Sequence, residues 1–414
     1  MTALDITRHP SPGESRRHLP GLDGIRGLAI LLVMLSHFIV VGNNLGTNTP
    51  TSRFLHSGYL GVDLFFVLSG FLITGILIDS KTSPAYFRVF YLRRALRIFP
   101  LYYGLLAVSS LTVIFITPED RPLLTGNDSM AWYWLYASNI GMAVKGDWLA
   151  SPTWVGLGHF WSLAVEEQFY LVWPLLVYLT PVKYLKRLCV VLVVASPFVY
   201  MVLPYLFGGG DPKYPEAFAA GNRATYVSTL GRLGVLAAGG WLAIIWRMPG
   251  AWPKFNHLLI PCAVVSGALL LLERTFLADG SFLDLSFMEP SLALVLGTAC
   301  VGLAAGGASG PLRSDIFATP VLRWLGKYSY GIYVYHHALK PVWQYFLWDG
   351  WITRVFGTGW PATLCYTASA TTASLILAWL SWTCFEGPIL SLKSRFSYGS
   401  RKAPESDATP SSLS

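Results

Sequence analysis

Two ionisable residues stand inside one apolar run, GLDGIRGLAILLVMLSHFIVVG (residues 21–42): Arg26 near its start and His37 eleven residues further on. On a helix the two side chains point the same way to within about 20°, separated by roughly 16 Å of rise. An arginine is a permanent cation suited to anions, whereas a neutral imidazole accepts a proton near neutral pH. Either group in hydrocarbon must find a partner or cost several kcal/mol. The same reasoning singles out Asp63 in GYLGVDLFFVLSGFLIT, Glu166 and Glu167 in HFWSLAVEEQFYLVWP, Arg232, and His336. A second group is basic: YLRRALRIFPLYY carries Arg93, Arg94 and Arg97. Arg94 and Arg97 share a helix face and suit a phosphate, although alone they read equally as charges reaching lipid headgroups. A phosphate-binding pole and a histidine–carboxylate site further in point to transfer of a group carried by a phosphorylated ligand.

These residues need a scaffold, and the composition names its class. The 414 residues are 53% hydrophobic and only 13% charged, with mean hydropathy +0.49. Soluble domains carry about 25% charged residues, so the chain is expected to be an all-α, polytopic membrane protein. Apolar stretches of spanning length fall at about 22–42, 58–78, 98–117, 160–180, 187–206, 226–246, 257–272, 288–306, 325–347 and 364–385, about ten helices. Residues 1–21 read as a polar N-terminal segment, 22–390 as the membrane domain, and 391–414 as a disordered tail. No cleavable leader is expected, because the first run is too long for a signal core.

Ten spans put both termini on one side, and the basic residues say which. Segments on the N-terminal side hold twenty Lys and Arg and the opposite loops eight, which marks the termini as cytoplasmic. The +8 net charge is then an orientation signal, and no nucleic-acid partner is expected. Counting inward from the loops sets His37, Asp63, Glu166 and Glu167 at one depth near the outer end, with His336 midway along its helix. The arginine cluster falls on the cytoplasmic lead-in to the third helix.

Plainer readings stand beside these. A single buried histidine is often structural, but several ionisable groups on separate helices at one level favour a site. The five cysteines lie in or beside apolar runs without metal or pairing spacing. His336 and His337 are adjacent and face about 100° apart on a helix, poor chelation geometry, so no metal is expected. Ser69 before a glycine reads as a packing residue more readily than as an acyl-enzyme nucleophile. A secondary transporter or proton-coupled flippase would also bury His, Asp and Glu; the arginine cluster and the lack of two matching broken helices argue against it.

GLDGIRGLAILLVMLSHF, with its arginine, ten intervening residues and histidine, resembles the signature of the membrane acyltransferase family 3. GYLGVDLFFVLSGFLIT, YLRRALRIFPLYY, FWSLAVEEQFYLVWP, LGKYSYGIYVYHH and a closing FEGP follow in family order across about 22–388. Val235 stands where many members carry a glutamate, and His337 where many have an aromatic residue before proline. The resemblance implies an integral inner-membrane O-acyltransferase with no permanently bound cofactor. Its co-substrate would be acyl-CoA, usually acetyl-CoA, and its acceptor a hydroxyl on a glycan, lipid-linked sugar or small molecule. Within that resemblance His37 is the histidine, Arg26 the arginine, Arg94 and Arg97 the RxxR element, and Glu166 and Glu167 the acidic pair. The expected mechanism makes His37 a general base whose other ring nitrogen is held by Glu167 or Asp63, with Arg232 and His336 towards the acceptor. Many relatives append an esterase-like domain; this chain, ending about thirty residues past the last stretch, is expected to be the stand-alone form.

Overall fold

A computed structural model describes residues 19–39, 57–112, 130–149, 155–208, 215–277, 288–306 and 316–398. Among the described residues are ten long helices: α1 (Pro20–Ile39), α2 (Leu60–Ser80), α3 (Tyr86–Thr112), α4 (Trp161–Leu179), α5 (Val182–Gly208), α6 (Thr229–Arg247), α7 (Ala251–Leu272), α8 (Glu289–Gly306), α9 (Pro320–Ala338) and α10 (Trp360–Ser381). No strand occurs among the described residues. The protein is an all-α polytopic membrane protein. Seven of the described helices are long and apolar enough to cross a membrane, against the ten stretches expected from sequence. The three below that mark are α3, α4 and α9, which carry the arginines, the paired glutamates and two adjacent histidines. Their low hydropathy comes from the very residues that the site needs.

Lipid tails are as apolar as leucine, so helices in a membrane associate through close packing. Glycines make that possible at two crossings. Where α1 meets α9, a Cβ on Gly27 would lie 2.0 Å from the Leu322 carbonyl oxygen, and one on Gly326 would lie 1.8 Å from that of Asp23. Where α2 meets α6, a Cβ on Gly70 or Gly239 would lie 1.9 Å from the carbonyl oxygen of Leu236 or Val67 respectively. These contacts clamp α1, α2, α6 and α9 into the centre. Helices α5 and α7 flank them and present apolar residues outward, including Val191, Val194, Phe198, Val264 and Val265.

Among the boundaries that differ from those read in the sequence, two move site residues. Helix α3 begins at Tyr86, twelve residues before the expected 98. Arg94 and Arg97 therefore stand about 12 and 16 Å inside the helix, not on a lead-in. Helix α9 ends at Ala338, so His336 sits in its last turn and not midway along a longer span. The chain continues through Lys340–Trp343 and a wide π-turn at Gln344–Ile352. Of the expected tail, 399–414 lies outside the described residues. Leu392–Arg395 forms a short 3-10 turn, and the Phe396 and Tyr398 carbonyls accept from Arg93 Nε at 2.7 Å and Ser83 Oγ at 2.5 Å.

Candidate active site

The polar residues form two groups, and a cavity runs from one of them as far as Tyr333, beside the other. At the end of α1 that holds His37, four histidine rings meet. His37 Nδ1 lies 3.0 Å from His336 Nε2. The His37 ring centroid is 5.2 Å from that of His336 and 4.9 Å from that of His337. His159 joins from the turn Gly158–Phe160 that leads into α4, 4.6 Å from His337 and 5.5 Å from His336. The turn is tied to α9: Gly156 N–H donates to the Ala338 carbonyl at 2.8 Å, and Tyr333 Oη donates to the His159 carbonyl at 2.9 Å.

The hydrogen bonds determine which nitrogen of His37 is free. His336 Nδ1 lies 2.8 Å from the Tyr333 carbonyl oxygen and 3.1 Å from that of Ile332. A carbonyl only accepts, so this nitrogen carries a proton. Taking the His336 ring as neutral fixes the rest. Its Nε2 is then an acceptor, and His37 must donate through Nδ1–H. The lone pair of His37 is left on Nε2, the nitrogen turned away from His336. A carbonyl–His336–His37 chain thus holds the tautomer that sequence reasoning had assigned to a carboxylate.

The two carboxylates expected in that role are elsewhere. Asp63 pairs with Arg232 across α2 and α6 at 2.6 Å, with side chains only 7% and 3% exposed. Arg232 also donates through Nε to the Tyr226 carbonyl, and its guanidinium lies 3.9 Å from the Tyr226 ring centroid. Arg232 is enclosed in the protein, and its buried Nη2 has no hydrogen-bond partner among the described residues. Glu166 and Glu167 turn towards the arginines: Glu166 feels Arg94 and Arg97, and Glu167 feels Arg94. Sequence reasoning set them beside His37; their partners follow instead from how far α3 extends.

The arginine group brings together Arg26, Arg94 and Arg97. Arg26 forms an ion pair with Asp23, one turn away, at 2.6 Å. Arg94 lies 5.6 Å from the Tyr170 ring centroid. Ser69 Oγ and Tyr170 Oη are 2.5 Å apart, both within reach of the Glu166 carboxylate. Arg93, expected with this group, points away and is held by the C-terminal segment, donating to the Phe396 carbonyl at 2.7 Å. Lys393 from that segment lies in the electrostatic field of all four arginines, Arg97, Arg94, Arg93 and Arg26.

A cavity of about 110 Å³ leads inward from these arginines, several times the space that one water needs. Its polar wall is Ser69, Glu166, Glu167 and Tyr170, and its apolar wall includes Phe65, Phe66, Leu68 and Leu72. The far end is closed by Ser162 and Tyr333, which hydrogen-bond each other. Tyr333 in turn packs 5.6 Å from His336, ring centroid to centroid. One buried oxygen of Glu167 has no hydrogen-bond partner among the described residues, so this wall offers an acceptor to whatever enters. Among the described residues no three of His, Cys, Asp and Glu converge as a metal site.

Sequence reasoning missed His159, Lys393 and the participation of His337. His159 stands in a loop, where no helical spacing marks it. Lys393 looked like one more orienting charge.

Comparison with known proteins bears on what this arrangement serves. The peptidoglycan O-acetyltransferase OatA of Listeria monocytogenes is 30% identical over 347 residues, covering 78% of this chain and 50% of that protein. A putative peptidoglycan O-acetyltransferase of Bacillus subtilis, YrhL, is 31% identical over 350 residues, covering 78% and 49%. A putative O-acetyltransferase of Staphylococcus aureus is 27% identical over 337 residues, covering 78% and 51%. The chain thus spans about half the length of the curated relatives it matches. No solved structure matches it. The profile of the acyltransferase-domain family covers residues 19–379, both polar groups and the cavity between them included, and the chain belongs to that family.

Proposed function

We propose that the protein moves a short acyl group, acetyl in the first instance, from an acyl-CoA to a hydroxyl of a glycan. The relatives named as peptidoglycan O-acetyltransferases support the acetyl group and the glycan acceptor. Family membership favours transfer over the transporter reading. The observation that carries the mechanism is the 3.0 Å contact between His37 Nδ1 and His336 Nε2; with a neutral His336 as acceptor, it leaves His37 Nε2 as a base. The donor's phosphates would sit among Arg26, Arg94, Arg97 and Lys393. Its acyl arm, which has amide N–H groups, would lie in the cavity against the unsatisfied Glu167 oxygen.

In the reaction His37 Nε2 takes the acceptor's O–H proton as the oxygen attacks the thioester carbonyl. The C–S bond of the tetrahedral intermediate then breaks, and the thiolate recovers the proton from the imidazolium. Direct transfer requires the acyl carbon to pass Tyr333, which stands between the cavity and the histidines. The arginine end faces the cytoplasm in this reading, in keeping with the basic asymmetry of the sequence.

The test is a transfer assay with purified protein in lipid nanodiscs, labelled acetyl-CoA and a soluble glycan fragment. His37→Ala should abolish transfer while donor affinity stays at the wild-type value, because the arginine group is untouched. A folded His37→Ala protein that transfers acetyl at the normal rate refutes the role of His37. Wild-type protein that binds no acetyl-CoA refutes the donor.

A further inference from the structure

A second depression opens on the arginine side of the protein. It has a volume of about 540 Å³ and shares Arg26 and Arg97 with the inner cavity. Its outer wall comes from α9 and the end of α10: Arg323, Trp324, Lys327 and Trp382. Arg323 and Lys327, four residues apart, present their charges along one helix face. Neither pairs with a carboxylate among the described residues, and the single acid on the wall, Asp23, is bound to Arg26. Four cations against one spoken-for carboxylate make a site for a polyanion. Trp324 is 40% exposed, and Trp382 carries Lys327 Nζ 5.5 Å from its ring centroid, so the anion site has flat aromatic surfaces.

We infer that this groove is the subsite for the phosphorylated nucleotide of the acyl donor. Arg323 and Lys327 bind the phosphate nearest its base, Trp324 stacks on that base, and Arg26 and Arg97 hold the remaining phosphates where the acyl arm enters the inner cavity. The inference rests on the acyl-CoA reading above and extends it to residues outside the arginine cluster. Two features favour a nucleotide over a lipid headgroup. Each base offers a π-face to tryptophan, which a headgroup does not. The groove also has Arg26 and Arg97 in common with the inner cavity, so its inner wall is the outer wall of that cavity. An extended donor with phosphates at one end and a thioester at the other fits a groove that leads to a narrow cavity.

Arg323 and Lys327 are exposed, so their removal leaves the packing intact, and helicity and gel-filtration profile check this. The experiment compares wild type with an Arg323→Ala/Lys327→Ala variant in nanodiscs, measuring affinity for acetyl-CoA and for S-acetylpantetheine, which lacks the nucleotide. Loss of one charged hydrogen bond weakens binding by about tenfold or more. The variant should lose at least that for acetyl-CoA while holding S-acetylpantetheine as wild type does, and ADP should displace acetyl-CoA from wild type. Unchanged acetyl-CoA affinity in the variant overturns the subsite and leaves the donor reading standing. Wild-type protein that binds no acetyl-CoA overturns both. A third arm adds anionic phospholipid to zwitterionic discs; if the lipid displaces acetyl-CoA and ADP does not, the groove is a headgroup site and the inference falls.

Discussion

Replacing His336 by phenylalanine tests the orientation of the base, because it keeps a ring of similar size and removes one acceptor. His336 is fully buried, and its Nε2 receives the Nδ1–H of His37 at 3.0 Å. Without it, a buried donor loses its partner, which costs about 1–3 kcal/mol. The His37 ring escapes this cost by rotating or by moving its proton to Nε2, and either change removes the lone pair that accepts the acceptor's proton. If the whole cost falls on the productive tautomer, kcat drops by roughly 5- to 150-fold. The KM for acetyl-CoA should stay put, since the arginine group does not touch this pair. His336→Gln, which supplies a carbonyl acceptor, should restore part of the rate, and His336→Leu should restore none. The assay is acetyl transfer at saturating donor in nanodiscs, with circular dichroism to confirm folding. A folded His336→Phe protein with wild-type kcat would mean that His37 takes its orientation from elsewhere.

Four further outcomes follow. Arg94→Ala or Arg97→Ala should weaken acetyl-CoA binding by about 1.5–3 kcal/mol for a lost charged hydrogen bond, measured by calorimetry; an unchanged affinity in the double variant reduces both to orientation charges. Glu167→Gln should change donor affinity and leave the rate at saturating donor near wild type, because Glu167 borders the cavity and not the histidines; a reduced saturated rate with normal affinity would contradict this placement. Asp63→Ala leaves the Arg232 guanidinium buried and unpaired, destabilising the fold by about 3–5 kcal/mol; replacing both by apolar residues, Asp63→Leu with Arg232→Met, should recover thermal stability, and no recovery would argue that the pair does more than hold α2 to α6. Gly27→Val forces α1 from α9 at a site where a Cβ would stand 2.0 Å from the Leu322 carbonyl oxygen, and should cost about 1–3 kcal/mol in thermal unfolding; an unshifted midpoint would mean that this crossing is looser than the geometry states.

The class of the fold was legible because hydropathy is a sum over many residues and tolerates errors at any one. Helix ends are local, and there the reading slipped. Tyr86 to Arg97 is rich in charge, so the third stretch seemed to begin at Ile98, yet the helix starts at Tyr86. Those twelve residues carry Arg94 and Arg97 down to meet Glu166, and the carboxylates were therefore assigned to the wrong end. The shared face of Arg26 and His37 needed only the period of one helix and was sound. The His37–His336 bond joins residues 299 apart, and no periodicity reports such a contact. His159 was invisible for the same reason, since a turn held by the end of α9 places it. The glycines at the crossings carried a clear signal of close approach, but nothing in their spacing says which helices meet.

The closure of the cavity by Ser162 and Tyr333 has an electrical consequence. A membrane potential makes each elementary charge that crosses worth about 2.3 kcal/mol per 100 mV. Arginines, glutamates and histidines strung along an open, wetted path would relay protons down that gradient and discharge the cell. Between Glu166 and His336 stand the Ser162 and Tyr333 hydroxyls, whose two protons are taken up by each other and by the His159 carbonyl. A side chain swing at Tyr333 would therefore do two things at once, opening the way from the cavity to the histidines and joining the two polar groups into one wetted path.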